Sequence, residues 1–275
     1  MYLAEEKALF SLNLLVEGCS IRSIERITGI HRDTVIDLLL TVGTKCERLM
    51  EELIRDLPVK DVQADEVWGF VQMKEKTKRR QELSDDTIGD AYTFMAMDQE
   101  TKLILCWHLG RRTATDTEIF VEKLGRAIAS RFQLTTDGYS GYPEAVSYSL
   151  GTQVDYAQVV KIYAQTEEGE RRYSPAQCVG AQKRVMIGTP DTDRISTSHV
   201  ERQNLTIRMH TRRLTRLTNG FSKKRTNLRA ALALHFAYYN FCRVHSSIRC
   251  TPAMAAQILP SIWTLKDLLQ AATHF

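Results

Sequence analysis

VQADEVWGFV, residues 62–71, decides the fold class. β-branched and aromatic residues recur along it in the near-alternation of a strand. Two short apolar runs bounded by polar residues follow, YTFMAM (92–97) and LILCWHL (103–109). TATDTEIFVEKLGRAIASR (113–131) then places Ile119, Phe120, Leu124 and Ile128 on one helical face, and FQLTTD (132–137) is a fourth strand. Three strands in a meander, a crossover helix and a fourth strand specify an α/β fold, a mixed sheet with helices packed on it.

Upstream, residues 5–41 predict three short helices. The first carries Leu9, Leu12 and Val16 and stops at Gly18; Ser20 caps the second, IRSIERIT, which Gly29 ends; the third starts near His31 or Arg32. Two short helices joined by a Gly-containing turn match a helix-turn-helix, whose second helix would set Arg32, Asp33 and Thr34 against base edges. A small dimerising bundle has the same pattern. TKCERLMEELIRDL (44–57) predicts a separate amphipathic linker helix ahead of Pro58.

Downstream, GYSGYPEAV after Asp137 suggests a turn and a short helix. A strand is expected near 154–163, then irregular chain through TEEGERRYSP (166–175) and GTPDTD (188–193). Helix resumes near Thr197, with Ser196 or Ser198 as caps, and again over about 223–242, and Pro252 opens a last helical segment.

The 43% hydrophobic and 25% charged content excludes a disordered or fibrous chain. No apolar run approaches the roughly 20 residues of a membrane span, and the basic n-region of a secretory signal is missing from the opening MYLAEEKALF, which together predict a cytoplasmic protein. The six cysteines contain no C-x-x-C pair, which speaks for reduced thiols and against a zinc ribbon. Net charge is +4, but residues 202–249 hold 11 Lys or Arg and no acid, against 26 basic and 33 acidic groups elsewhere. Such asymmetry points to a polyanionic partner, or to a solvated helical face.

Three acids stand out. Asp65 interrupts an apolar strand, Asp137 lies at the C-terminal end of another, and Glu201 is the last acid before the basic stretch. Each alone fits a salt bridge or a cap. Carboxylates converging from two strands and a helix would instead suit a hard divalent cation, and a pair of such ions serves in-line displacement at phosphorus.

Together, QADEVWGFV around Asp65, TTDGYSGY around Asp137, STSHVERQNLTIRMHTRRLTRLTNGFSKK (196–224) and ALALHFAYYNFCRVHSSIRCTPAM (231–254) make residues 61–258 resemble transposases of the insertion sequence 1 family. These belong to the DDE group, with a ribonuclease-H-like core. The resemblance implies Asp65, Asp137 and Glu201 as a triad holding Mg²⁺ or Mn²⁺, two ions in all, with Arg208 seven residues after the glutamate as a further catalytic residue. Glu201 and Arg208 share a helix face two turns apart, and Asn204 lies near that face as a supporting residue. Arg212, Arg213, Arg216, Lys223, Lys224 and Arg225 would neutralise DNA phosphates, so that the basic stretch walls the active site. Lys74, Lys76, Lys78, Arg79 and Arg80 form a second basic cluster, in a hairpin after the first strand.

The implied activity is cleavage at transposon ends and joining of the freed 3′-hydroxyl to target DNA. Its partners are the terminal inverted repeats, target DNA and further copies of this chain, with no membrane, in the cytoplasm at the nucleoid. The implied organisation is a helix-turn-helix domain (1–43), a linker helix (44–60), a DDE ribonuclease-H-like catalytic domain (61–258) and a C-terminal helical tail (259–275). Family relatives commonly carry a cysteine-rich zinc module ahead of the helix-turn-helix, whereas this sequence opens close to its first helix without one. The competing functions are a DNA-binding regulator with a vestigial acidic site and a ribonuclease-H-like nuclease that cuts without joining.

Overall fold

The computed structural model describes residues 3–164 and 178–274. The polar stretch at 166–175 lies outside them. The chain opens with helices α1 (Glu5–Val16), α2 (Ile21–Thr28) and α3 (Arg32–Leu53). Ser20 caps α2 by accepting from the Ser23 amide, and Gly29 ends it in the left-handed region at φ +70°. A three-residue turn then leads into α3.

The third helix differs from expectation: it runs unbroken for 22 residues where the sequence predicts a short helix and a separate linker helix. Gly43, at the expected break, is buried mid-helix, and a Cβ there would sit 2.6 Å from the Ala230 Cα. That glycine lets α3 lie directly on α8 (Arg225–Phe241). Val35, Leu39, Val42, Cys46, Leu49 and Met50 form the buried stripe, at the three- and four-residue spacing of one helix face.

The sheet comprises β1 (Asp61–Val71), β2 (Gly89–Asp98), β3 (Ile104–Gly110), β4 (Phe132–Asp137), β5 (Val154–Tyr163) and β6 (Cys178–Ile187). Its spatial order is β3-β2-β1-β4-β5-β6. β4 runs parallel to β1 and to β5, and the remaining pairings are antiparallel. This six-stranded mixed sheet flanked by helices is consistent with a ribonuclease-H-like core. β6 falls where irregular chain is expected: it is an edge strand exposed along almost its whole length, so neither face imposes apolar alternation on CVGAQKRVMI.

α5 (Ala114–Ala127) and α6 (Tyr142–Leu150) cover one face, where Phe94 of β2 packs against Phe120 and Tyr142 at ring separations of 5.5 and 6.5 Å. Ile119, expected on the buried side of α5, is 38% exposed, and Val121 and Ala127 take its place in the core. α7 (Ser198–His210) and α8 cover the other face, with Trp107 of β3 against Phe236 of α8. The cluster Lys74–Arg80, expected in a hairpin, forms a short helix, α4 (Glu75–Arg80), between β1 and β2. α9 (Pro252–Ala255) and α10 (Leu265–Ala272) complete the chain, and the latter packs on α3. Among the described residues no helix is long and apolar enough to cross a membrane.

The α3–α8 contact has a direct test. Gly43→Ala raises intrinsic helix propensity by about 1 kcal/mol, yet its Cβ meets the Ala230 backbone. The expected result in chemical denaturation is a net loss of about 2 kcal/mol; a gain in stability would contradict the close approach.

Candidate active site

The parallel ladder between β1 and β4 ends at Ala64 and Thr136. Asp65 and Asp137 are the next residue on each strand, so the two carboxylates emerge side by side where the strands diverge. Glu66 joins them. One oxygen from each of Asp65, Glu66 and Asp137 lies within 4.8 Å of the others, a group that could hold a metal ion.

Strand alternation alone would send Glu66 to the α5 and α6 face, opposite Asp65. Asp137 can be approached from both faces because it terminates its strand, and Glu66 reaches it from the far side. Arg112, at the start of the crossover helix, binds this pair: its Nε donates to Glu66 Oε1 at 3.0 Å and its Nη2 lies 3.6 Å from Asp137 Oδ2. The same guanidinium stacks over the Tyr139 ring at 4.1 Å.

α7 docks on the Asp65 face of β1 through two contacts. Gln63 Oε1 accepts from the amides of His199 and Val200 at 2.9 and 3.2 Å, satisfying free N–H groups in the first turn. One pleat further along, Asn204 Nδ2 donates to Asp65 Oδ2 at 2.7 Å. Glu201 lies between these contacts and lines the same cleft, of about 760 Å³, as do Asn204 and Arg208. Its carboxylate stands outside the three-acid group: Oε2 is 2.6 Å from Lys161 Nζ of β5, and Oε1 accepts from the Thr197 hydroxyl. Arg208 Nε is buried and has no hydrogen-bond partner among the described residues.

The expected phosphate-binding residues do not form one wall. Besides Arg208, the cations lining the acidic cleft are Arg112 and Lys161, neither of them foreseen. Arg225 Nη2 donates to the Leu109 carbonyl at 2.8 Å and ties α8 to β3. Arg212, Arg213 and Lys223 line a different cavity together with Arg32 and Asp33. Arg216 and Lys224 are exposed, and Thr34 is half-buried.

Charge in the cleft is poorly compensated. Burial, then the neighbouring Asp137 carboxylate, push Asp65 up to about 6. Burial and Asp137 likewise push Glu66 up to about 8, outweighing Arg112. Hard oxygen donors that resist ionising together are the donor chemistry of an Mg²⁺ or Mn²⁺ site.

No protein-family model matches the sequence, and no curated protein matches it. Among solved structures, the chain is similar to the piggyBac transposase in its synaptic complex with hairpin DNA, determined by cryo-electron microscopy. The TM-score is 0.42 at 11% identity, over 99% of this chain and 73% of that one.

The pKa shifts carry a sign that thermal unfolding reads. Asp65 and Glu66 start from ordinary values of 3.8 and 4.5 in an unfolded chain and rise to about 6 and about 8 in the fold. Their contribution to stability is fully present below about pH 4 and is lost as pH rises through 6 and then 8. The metal-free protein should therefore lose Tm between about pH 4 and about pH 8, and Glu66→Gln should remove the upper portion of that decline. Parallel curves for the two proteins would contradict the assignment to Glu66.

Proposed function

We propose that the chain is a DDE-type DNA transposase of the insertion sequence 1 kind. On this proposal Asp65, Asp137 and Glu201 are the metal-holding catalytic acids and Arg208 is a catalytic cation. The observation that carries the reading is the juxtaposition of Asp65 and Asp137 where two parallel strands diverge, with the helix bearing Glu201, Asn204 and Arg208 docked across the same cleft. The family resemblance of the segments around those residues supports it independently.

Each side chain then has a task. Asn204 and the Glu66 backbone amide each donate to one oxygen of Asp65 and fix the orientation of its carboxylate at the cleft. Arg112 holds Asp137 beside Glu66. Lys161 and Thr197 hold the Glu201 carboxylate, which must leave the lysine to join the other acids, while Glu66 occupies the third place meanwhile. Arg208 offers an unpaired buried N–H to a DNA phosphate. One or two Mg²⁺ or Mn²⁺ ions, when bound, supply positive charge against the phosphoryl oxygens.

In the first reaction a water oxygen bonds to phosphorus at the element's end and the bond to the 3′ oxygen breaks, leaving a 3′-hydroxyl. In the second, that hydroxyl oxygen bonds to a target phosphorus as the target's own 3′ oxygen leaves. The partners on this reading are transposon ends, target DNA and a second copy of the chain, in the cytoplasm at the nucleoid. α2 and α3 are proposed as the helix-turn-helix that reads the ends, with Arg32, Asp33 and Thr34 leading α3. Arg216, Lys223 and Lys224 are proposed as exposed phosphate contacts.

A strand-transfer assay with a pre-cut end and Mg²⁺ tests the proposal. Wild type should join, and Asp137→Asn and Glu201→Gln should each lose joining by about 10²-fold or more. Cutting without joining would mark a nuclease, binding without catalysis a regulator, and unchanged joining by Asp137→Asn would refute the triad.

A further inference from the structure

A second cavity lies away from the acidic cleft. It occupies about 860 Å³ between the N-terminal helices and the segment joining α7 to α8. The two sides meet closely: a Cβ on Gly18 would come within 2.9 Å of the Met209 carbonyl oxygen.

Three polar side chains lining this cavity have unmet hydrogen-bonding capacity among the described residues. His235 is 4% exposed, and neither ring nitrogen has a partner. Arg213 Nη2 is enclosed and unpartnered, as is the Thr211 hydroxyl. An enclosed guanidinium with no counter-charge is costly for a protein to keep, and each buried N–H or O–H left unpaired costs about 1–3 kcal/mol. All three groups can donate. Burial brings His235 down to about 3, so its ring is neutral with one N–H to offer, and desolvation brings even Arg213 down to about 10.

The rim repeats the sign. Arg22 and Arg32 approach from the N-terminal helices, and Arg212 and Lys223 from the opposite side. Asp33 is the one acid among the lining residues, and its carboxylate lies 3.5 Å from His31 Nδ1. Leu39, Phe221 and Leu234 give the wall an apolar portion, beside the polar Ser20, His210 and Asn219. Clustered donors and cations call for an acceptor-rich anion, and an apolar wall suits a flat ring. The volume falls within the roughly 300–1,000 Å³ of small-ligand sites.

We infer that this cavity binds a phosphate-bearing ligand of nucleotide size, its phosphate on Arg213, Thr211 and His235 and its base against the apolar wall. The nucleotide is either free or a unit of a DNA strand, since the recognising chemistry is the same. The inference stands apart from the acidic cleft and does not need that site to be catalytic.

Thermal unfolding at constant ionic strength tests it with three probes: inorganic pyrophosphate, deoxyadenosine monophosphate and a ten-nucleotide single strand. At saturation at least one should raise the Tm of the wild type by about 3 °C. A shift with the monophosphate identifies a free nucleotide, and a shift with the strand alone identifies DNA. Arg213→Met should abolish the shift while leaving the ligand-free Tm equal or higher, because the enclosed charge is gone. Should that variant fail to fold, Arg22→Gln at the exposed rim is expected to weaken the same probe about tenfold. No shift with any probe would overturn the inference, as would an undiminished shift in Arg213→Met or, in its absence, in Arg22→Gln.

Discussion

Like-charge crowding between neighbouring strands governs the middle of this molecule. Two parallel strands diverge just beyond Ala64 and Thr136, and each carries an aspartate as its next residue. Burial first, and then repulsion from the Asp137 carboxylate, leaves Asp65 at about 6 and draws Glu66 up to about 8. Neighbouring elements answer that repulsion. Arg112 reaches in from the start of the crossover helix, Lys161 from β5, and Asn204 donates from α7. The elements around the cleft are in this sense arranged about a partly compensated cluster of acids.

The same arrangement explains why α7 sits where it does. Gln63 takes up the first amides of α7 and Asp65, two residues on, takes the Asn204 amide group. A strand repeat of two residues is thereby matched to helix positions that face one way, which fixes both the height and the rotation of the helix. That match sets Glu201 and Arg208 along the cleft. Glu201 in particular is held by Lys161 and Thr197, outside the group formed by Asp65, Glu66 and Asp137.

Much of the fold was legible because burial patterns leave marks in composition. β1 to β4, the crossover helix and the caps at Ser20 and Gly29 all follow from periodicity and turn chemistry. β6 was not legible, since an exposed edge strand buries no face. The continuity of α3 was hidden because a glycine normally weakens a helix, and the close approach of Ala230 that demands it is a tertiary fact. In the cleft, Asp65, Asp137 and Asn204 could be read from strand ends and helix faces. Glu66 could not, because alternation directs it to the opposite face, and Arg112 and Lys161 have no local signature. The basic stretch misled most: an acid-free run of 48 residues looks like one surface, but its members divide among the cleft, a separate cavity and structural ties such as that of Arg225 to Leu109.

The central claim is that Asp65 and Asp137 share a divalent cation. Crystals grown with Mn²⁺ and measured at an energy where manganese scatters anomalously test it most directly. The expected result is an anomalous peak about 2.1 Å from an oxygen of each aspartate, with Glu66 or Glu201 as the further carboxylate. Saturating Mn²⁺ with no peak between Asp65 and Asp137, in a crystal whose cleft is otherwise ordered, would contradict the account.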